Sequence, residues 1–244
     1  MNLKKDKLNN TDLSQDVKSW DHWWEGLSPR KEIQKWDYYG LRPWILKYAP
    51  RNDKVLEAGC GLGRWVFYLS KLGIDIEGLD FSEKSVSYLN EWKKKNNIPV
   101  EFNVGDVCNL PQKDESLSGY ISLGVVEHFI EGPGIPLKEA YRVLRPGGIA
   151  IITTPSISWY LYYKKFRKKI INLVKSIIGK DIVTPPFFQY EYRPSTLKKY
   201  IEESGLYVSR SSGADLLYTF TELGGFKGKN IHKQSFGYFI SHKL

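Results

Sequence analysis

From residue 53 to residue 153, short apolar runs alternate with stretches whose apolar positions recur at helical spacing. The runs at 53–58, 74–79, 100–104, 117–123 and 149–153 predict strands. The stretches at 62–72, 83–96 and 136–144 predict helices, with Trp65, Leu69 and Leu72 on one face of the first. Gly73 stops that helix as a C-cap would, and Ser82 opens the next as an N-cap. Residues 145–148, Arg-Pro-Gly-Gly, predict a tight turn before the last strand. Strands separated by helices of about ten residues imply right-handed crossovers and a mostly parallel sheet.

The flanks break this rhythm. Residues 1–15 are polar and predict a mobile arm. Residues 17–48 are helical in pattern and rich in Trp20, Trp23, Trp24, Trp36, Tyr38, Tyr39 and Trp44, with Ser28-Pro29 between two helices. They predict a cover packed on the sheet. In 158–179, Trp159, Tyr163, Phe166, Ile170, Leu173 and Ile177 recur at helical spacing, and Lys164, Lys165, Lys168, Lys169 and Lys175 fall largely away from them. Two readings of this basic amphipathic helix stand. It is a lid packed on its own domain, the preferred reading, or it lies on an anionic membrane or holds a lipid-linked acceptor. An aromatic loop at 185–194 leads into a helix with Ser195 as its N-cap and Gly205 at its end. Runs at 206–211 and 235–241 predict an antiparallel pair closing the sheet.

Composition sets bounds. At 244 residues, 41% hydrophobic and 26% charged, the chain is a soluble globular protein of one α/β domain with additions. The 14% of aromatic residues suit pockets as well as cores. A net charge of +9 reads equally as a solvated Lys-rich surface or as a match for an acidic partner. The two cysteines, Cys60 and Cys108, make neither a disulfide framework nor a zinc site, and no metal is expected. With no apolar leader and no run of about eighteen apolar residues, the expectation is a cytoplasmic protein.

The candidate chemistry gathers where strands end. Val55 to Trp65 reads Val-Leu-Glu-Ala-Gly-Cys-Gly-Leu-Gly-Arg-Trp, with Gly59, Gly61 and Gly63 at alternate positions between a strand and a helix. Glycines there permit a sharp turn and a close ligand, and the helix N-terminus offers free N–H groups. Glu57 would repel a pyrophosphate and attract a cationic amine. Asp80 lies roughly twenty residues on, where such folds set an acid against ribose hydroxyls. Asp106 follows the third strand, and Gly124-Val125-Val126-Glu127-His128 follows the fourth. A neutral imidazole at His128 suits proton removal near pH 7, although a structural histidine capping the turn is an equal reading.

This constellation, over about residues 50–155, resembles the class I S-adenosylmethionine (SAM) methyltransferases. Their motif I is Glu/Asp-x-Gly-x-Gly-x-Gly, and Leu-Arg-Pro-Gly-Gly after a helix is typical of them. SAM carries an amine and a sulfonium and no phosphate, which agrees with Glu57. The resemblance implies a Rossmann-like seven-stranded, mostly parallel sheet with helices on both faces and an antiparallel last strand. Residues 1–48 would form the arm and helical cover, and 49–244 the methyltransferase domain, with 156–193 inserted after strand five as lid and acceptor site. It implies SAM as cofactor, with contacts from Glu57, Gly59, Cys60, Gly61, Gly63, Arg64, Asp80, Phe81, Ser82, Gly124 and Val125. Asp106 would accept from the adenine amino group, and the N–H of Val107 would bond the ring. Tyr39 and Arg42, from the cover, are further contacts. Glu127, His128, Tyr190, Tyr192 and Arg193 would hold the acceptor, with His128 as base. Ser118 departs from the usual Asp. The type is the subgroup that methylates small molecules, so the expected acceptor is a small molecule, with a sugar or lipid-linked intermediate foremost. An RNA cap or ribose enzyme, a non-catalytic SAM-fold binding protein and a nicotinamide dehydrogenase stay as alternatives. The absence of Asn/Asp-Pro-Pro-Tyr after the fourth strand argues against base methylation in nucleic acid.

Overall fold

The central strand β1 (Val55–Ala58) is buried at every residue, as a strand covered on both faces must be. The computed structural model describes residues 28–34, 41–51, 53–155, 159–178, 189–214 and 236–243. The arm at 1–15, five of the cover's aromatic residues (Trp20 to Tyr38), Tyr39 and the start of the loop at 185–188 lie outside them.

Parallel strands flank β1: β2 (Ile76–Asp80) on one side, β4 (Leu117–Leu123) on the other. Beyond them lie β3 (Glu101–Val104) and β5 (Leu144–Pro155), and two further strands, β6 (Tyr207–Ala214) and β7 (Phe236–His242), complete the sheet in the order β3-β2-β1-β4-β5-β7-β6. β7 is antiparallel to both of its neighbours. The order reverses between β1 and β4, which opens a crevice at their carboxyl ends.

Side-chain alternation along the strands sorts the core into two faces. Val55, Ile121, Ile151 and Ile240 join a cluster under α3 (Arg64–Lys71) and α4 (Glu83–Lys95). Leu56, Tyr120, Ile152 and Phe239 join another under α5 (Gly134–Val143) and α7 (Pro194–Glu203). The cover contributes α1 (Pro29–Gln34) and α2 (Arg42–Tyr48), whose Ile45 is fully buried in the first cluster. α6 (Trp159–Ile177) leaves the carboxyl end of β5.

Several local expectations are corrected. Residues 145–148 do not form a free turn; they extend β5, with Leu117 paired to Leu144 and a register shift before Gly119. The irregularity is stabilised because Gly147, at φ +76°, donates to the Lys243 carbonyl. Ser195 is not an N-cap. The helix begins at Pro194 behind Arg193, which makes no side-chain cap, because proline's fixed φ suits the first helical turn. In α6, Phe166, Leu173 and Ile177 are exposed. His128 sits in a short 3-10 turn, Val126–His128, that periodicity did not reveal.

Gly78 in β2 faces a filled space: a Cβ there would stand 2.7 Å from Phe102 Cδ1 and 2.9 Å from Cys60 Sγ. Gly78→Ala is expected to destabilise the domain by ~1–3 kcal/mol through overpacking, read as a lower urea midpoint with unchanged slope.

Candidate active site

The glycine turn is laid over the end of β2. Gly59 and Cys60 donate to the Leu79 carbonyl at 2.7 and 3.0 Å, and Gly61 donates to Asp80 Oδ2 at 2.7 Å. Gly59, Gly61 and Gly63 take φ of +76°, +53° and +67°, the left-handed region that a side chain disfavours. A Cβ on Gly59 would lie 2.4 Å from Val125 Cγ2, so the ends of β1 and β4 touch across the crevice. Gly63 is the N-cap of α3 and has no side chain to cap it. Glu57 supplies that role from the strand, accepting from Val66 N at 3.1 Å.

Asp80 is buried, and its Oδ1 accepts from Ser82 N at 3.0 Å. The Ser82 hydroxyl accepts from Ser85 N and caps α4, as its sequence position suggested. Phe81 beside them is 37% exposed. Asp106 accepts from Cys108 N at 2.8 Å and is exposed, while Val107 is buried. Arg142 anchors this loop by donating to the Leu110 and Gln112 carbonyls and to Glu139 and Asp114. The Arg142 partnership holds the Glu139 carboxyl below its ordinary range.

A general methyltransferase-domain model matches residues 56–152. The chain is 27% identical over 159 residues to a Mycolicibacterium smegmatis protein named as an S-adenosylmethionine-dependent methyltransferase, covering 65% of this chain and 54% of that protein. It is 27% identical over 234 residues to the demethylmenaquinone methyltransferase of Staphylococcus carnosus, covering 95% of this chain and 83% of that one. The magnesium protoporphyrin IX methyltransferase of Synechocystis, solved with bound S-adenosylhomocysteine, superposes with a TM-score of 0.63 at 16% identity, covering 96% and 95% of the two chains. The chain carries a class I S-adenosylmethionine-dependent methyltransferase domain. It is an enzyme domain whose cofactor is SAM.

The cradle fits that cofactor. Three left-handed glycines shape the turn, Gly59 packing on Val125 and Gly63 on Phe102, and acids stand at the ends of the next two strands. Three further expected contacts have partners within the fold. The Cys60 side chain turns into the core beside Gly78, and burial pushes its thiol well above the ordinary range. Arg64 pairs with the buried Glu32 of α1, and Arg42 Nε donates to Tyr68 on α3 at 3.0 Å. Both arginines therefore tie the cover to the helix that follows the glycine turn. Nothing in the pattern of 29–34 marked Glu32 as the partner of Arg64. Two shallow cavities of about 340 and 410 Å³ are lined instead by residues such as Lys54 and Glu77, and Tyr141 and Arg142. None of the glycine-turn residues lines either.

Among the residues expected to hold the acceptor, Tyr190 N donates to the Glu127 carbonyl at 2.8 Å, which closes the return of the chain after α6 onto the end of β4. The rings of Tyr190 and Tyr192 lie 5.7 Å apart, and Tyr200 of α7, not foreseen from sequence, meets Tyr192 edge-on at 5.9 Å. Tyr190 donates its hydroxyl to the Ile130 carbonyl at 2.8 Å. Arg193 heads α7 as its N-cap residue. Glu127 is 1% exposed; its Oε2, like the Tyr192 hydroxyl, has no hydrogen-bond partner among the described residues. His128 Nε2 lies 3.9 Å from Glu127 Oε1. No cluster of His, Cys, Asp and Glu among the described residues could hold a metal.

Burial is the main cause that lifts both Glu57 and Glu127 to about 8. At neutral pH Glu57 is mostly uncharged, which weakens its expected pull on an amine. The unfolded chain ionises both carboxyls near pH 4.5, whereas the folded one keeps its protons to about 8. Folded-state proton binding then exceeds unfolded, and stability falls as pH rises across that window. Glu127→Gln removes one of the two contributions. Unfolding free energies from urea titrations at mildly acidic and at neutral pH are expected to differ less in the variant, by up to ~1.4 kcal/mol per pH unit.

Proposed function

We propose that this protein transfers the methyl group of SAM to an oxygen-bearing, lipid-like small molecule. The observation that carries the acceptor reading is the buried Glu127 carboxyl, with its Oε2 unpartnered among the described residues and Tyr190 and Tyr192 beside it. A carboxyl held protonated at neutral pH donates a hydrogen bond rather than repelling an oxygen ligand. The rings of Tyr190 and Tyr192, tilted 41° to each other, offer an apolar wall that carries hydroxyls. The near full-length similarity to a demethylmenaquinone methyltransferase points to a ring-bearing lipid of that kind. A free or lipid-linked sugar would use the same hydroxyls but gains less from the rings.

In this reading Gly59, Gly61, Gly63, Asp80, Asp106 and the backbone at Val125 hold the cofactor. Asp80 accepts from ribose hydroxyls and Asp106 from the adenine amino group. When bound, SAM supplies a methyl group on a sulfonium, already activated for in-line displacement. The chain's own task is positioning, an effect on the order of 7–11 kcal/mol at best. The Glu127 carboxyl and Tyr192 hydroxyl orient the acceptor oxygen, the tyrosine wall excludes water, and the His128 imidazole takes the acceptor's proton.

Calorimetric titration of S-adenosylhomocysteine is expected to show binding that Asp80→Asn weakens by ~1.5–3 kcal/mol, through loss of a charged hydrogen-bond acceptor. Glu127→Gln and His128→Ala are expected to bind it as the parent does and to lower turnover on demethylmenaquinone, each by about 10²-fold or more. Binding of S-adenosylhomocysteine without transfer to demethylmenaquinone would sink the acceptor assignment and leave the cofactor site standing. Unchanged turnover in His128→Ala would remove it from the proton path.

A further inference from the structure

α6 presents an apolar side to solvent. Phe166 and Leu173 are each 63% exposed, Ile177 is 75% exposed, and Tyr163, Ile170 and Val174 on the same side are about half exposed. Their spacing places them within one half of the helix circumference. Lys168 and Lys169, also exposed, lie on the other half, and Arg167 stacks over Tyr163 at 5.7 Å. Trp159–Ile177 contains six Lys or Arg residues and no Asp or Glu. An uncovered apolar stripe of this length is unfavourable in water unless something docks on it.

We infer that α6 docks in the plane of an anionic lipid bilayer. Charge selects this occupant. A second copy would bring another strongly basic helix against the first, and like charges repel. A nucleic acid would match the lysines and leave the apolar side wet. An anionic bilayer satisfies both halves: the apolar side enters the acyl boundary and the basic side chains reach the headgroups. The helix does not span the membrane, because no described helix is long and apolar enough to cross one.

Its place in the fold gives the docking a use. α6 starts from the carboxyl end of β5, and the chain after it returns to Glu127 through the Tyr190 hydrogen bond. The lipid-facing helix therefore borders the acceptor side of the crevice. Together with the acceptor reading above, on which this last step rests, the helix lets a lipid-like acceptor pass from the bilayer to the site without crossing water.

The test is co-sedimentation of the full chain with vesicles, read without any methyl transfer. Pure phosphatidylcholine is compared with equal parts phosphatidylcholine and phosphatidylglycerol. Binding is expected to the anionic vesicles alone and to weaken with added salt. Arg167→Gln, Lys168→Gln and Lys169→Gln together should weaken it on the order of a hundredfold, about fivefold per charge. Phe166→Ser, Leu173→Ser and Ile177→Ser together should abolish it. Parent-like S-adenosylhomocysteine binding by both variants confirms an intact fold. Failure of the parent to bind anionic vesicles, equal binding to neutral ones, or binding that neither variant weakens overturns the inference. So does RNA binding that the lysine variant loses when vesicle binding is absent. Each of these outcomes is independent of whether demethylmenaquinone is methylated.

Discussion

The close approach of β1 and β4 at Gly59 and Val125 is the constraint on which the rest of the molecule depends. A Cβ on Gly59 would stand 2.4 Å from the Val125 side chain, so the turn must be glycine and must take a left-handed φ. That single contact lets two parallel strands end side by side at the point where the strand order reverses. It also commits the turn to fold back over β2, where Leu79 and Asp80 accept its N–H groups. The cradle is therefore built from backbone, and its shape is inherited from the sheet rather than from side-chain choice.

Two buried carboxyls show how position divides one chemistry into two tasks. Glu57 looks inward along β1 and caps α3, a helix whose own N-cap is a glycine. Glu127 stands at the end of β4 with an oxygen that no described residue satisfies. Burial raises both to about 8, yet only one is spent on the fold. A buried polar atom without a partner costs about 1–3 kcal/mol, and retention of one beside an aromatic wall suits a ligand that completes it.

The cover is held by the same helix that begins at the glycine turn. The Arg64–Glu32 pair and the Arg42–Tyr68 hydrogen bond join α1 and α2 to α3. Any movement of the cover is thereby coupled to the cradle's helix. Such coupling suits an enzyme that must admit a cofactor and then exclude water.

The strands, their order of use and the four clusters at their carboxyl ends were legible in the sequence. A two-residue or 3.6-residue period and a glycine or serine at each junction are local properties of the chain. Ser82 as a cap and β4 at residues 117–123 followed directly from them. What Glu57 bonds to, which residue faces Arg64, and that Cys60 turns into the core were decided by tertiary structure. Each depends on an element distant in sequence or on the sheet's two faces. The same is true of α6. Its amphipathic pattern was plain, but a pattern states only that one side avoids water. Whether the domain or something outside it covers that side depends on where β5 ends and what lies beneath, which no local period encodes.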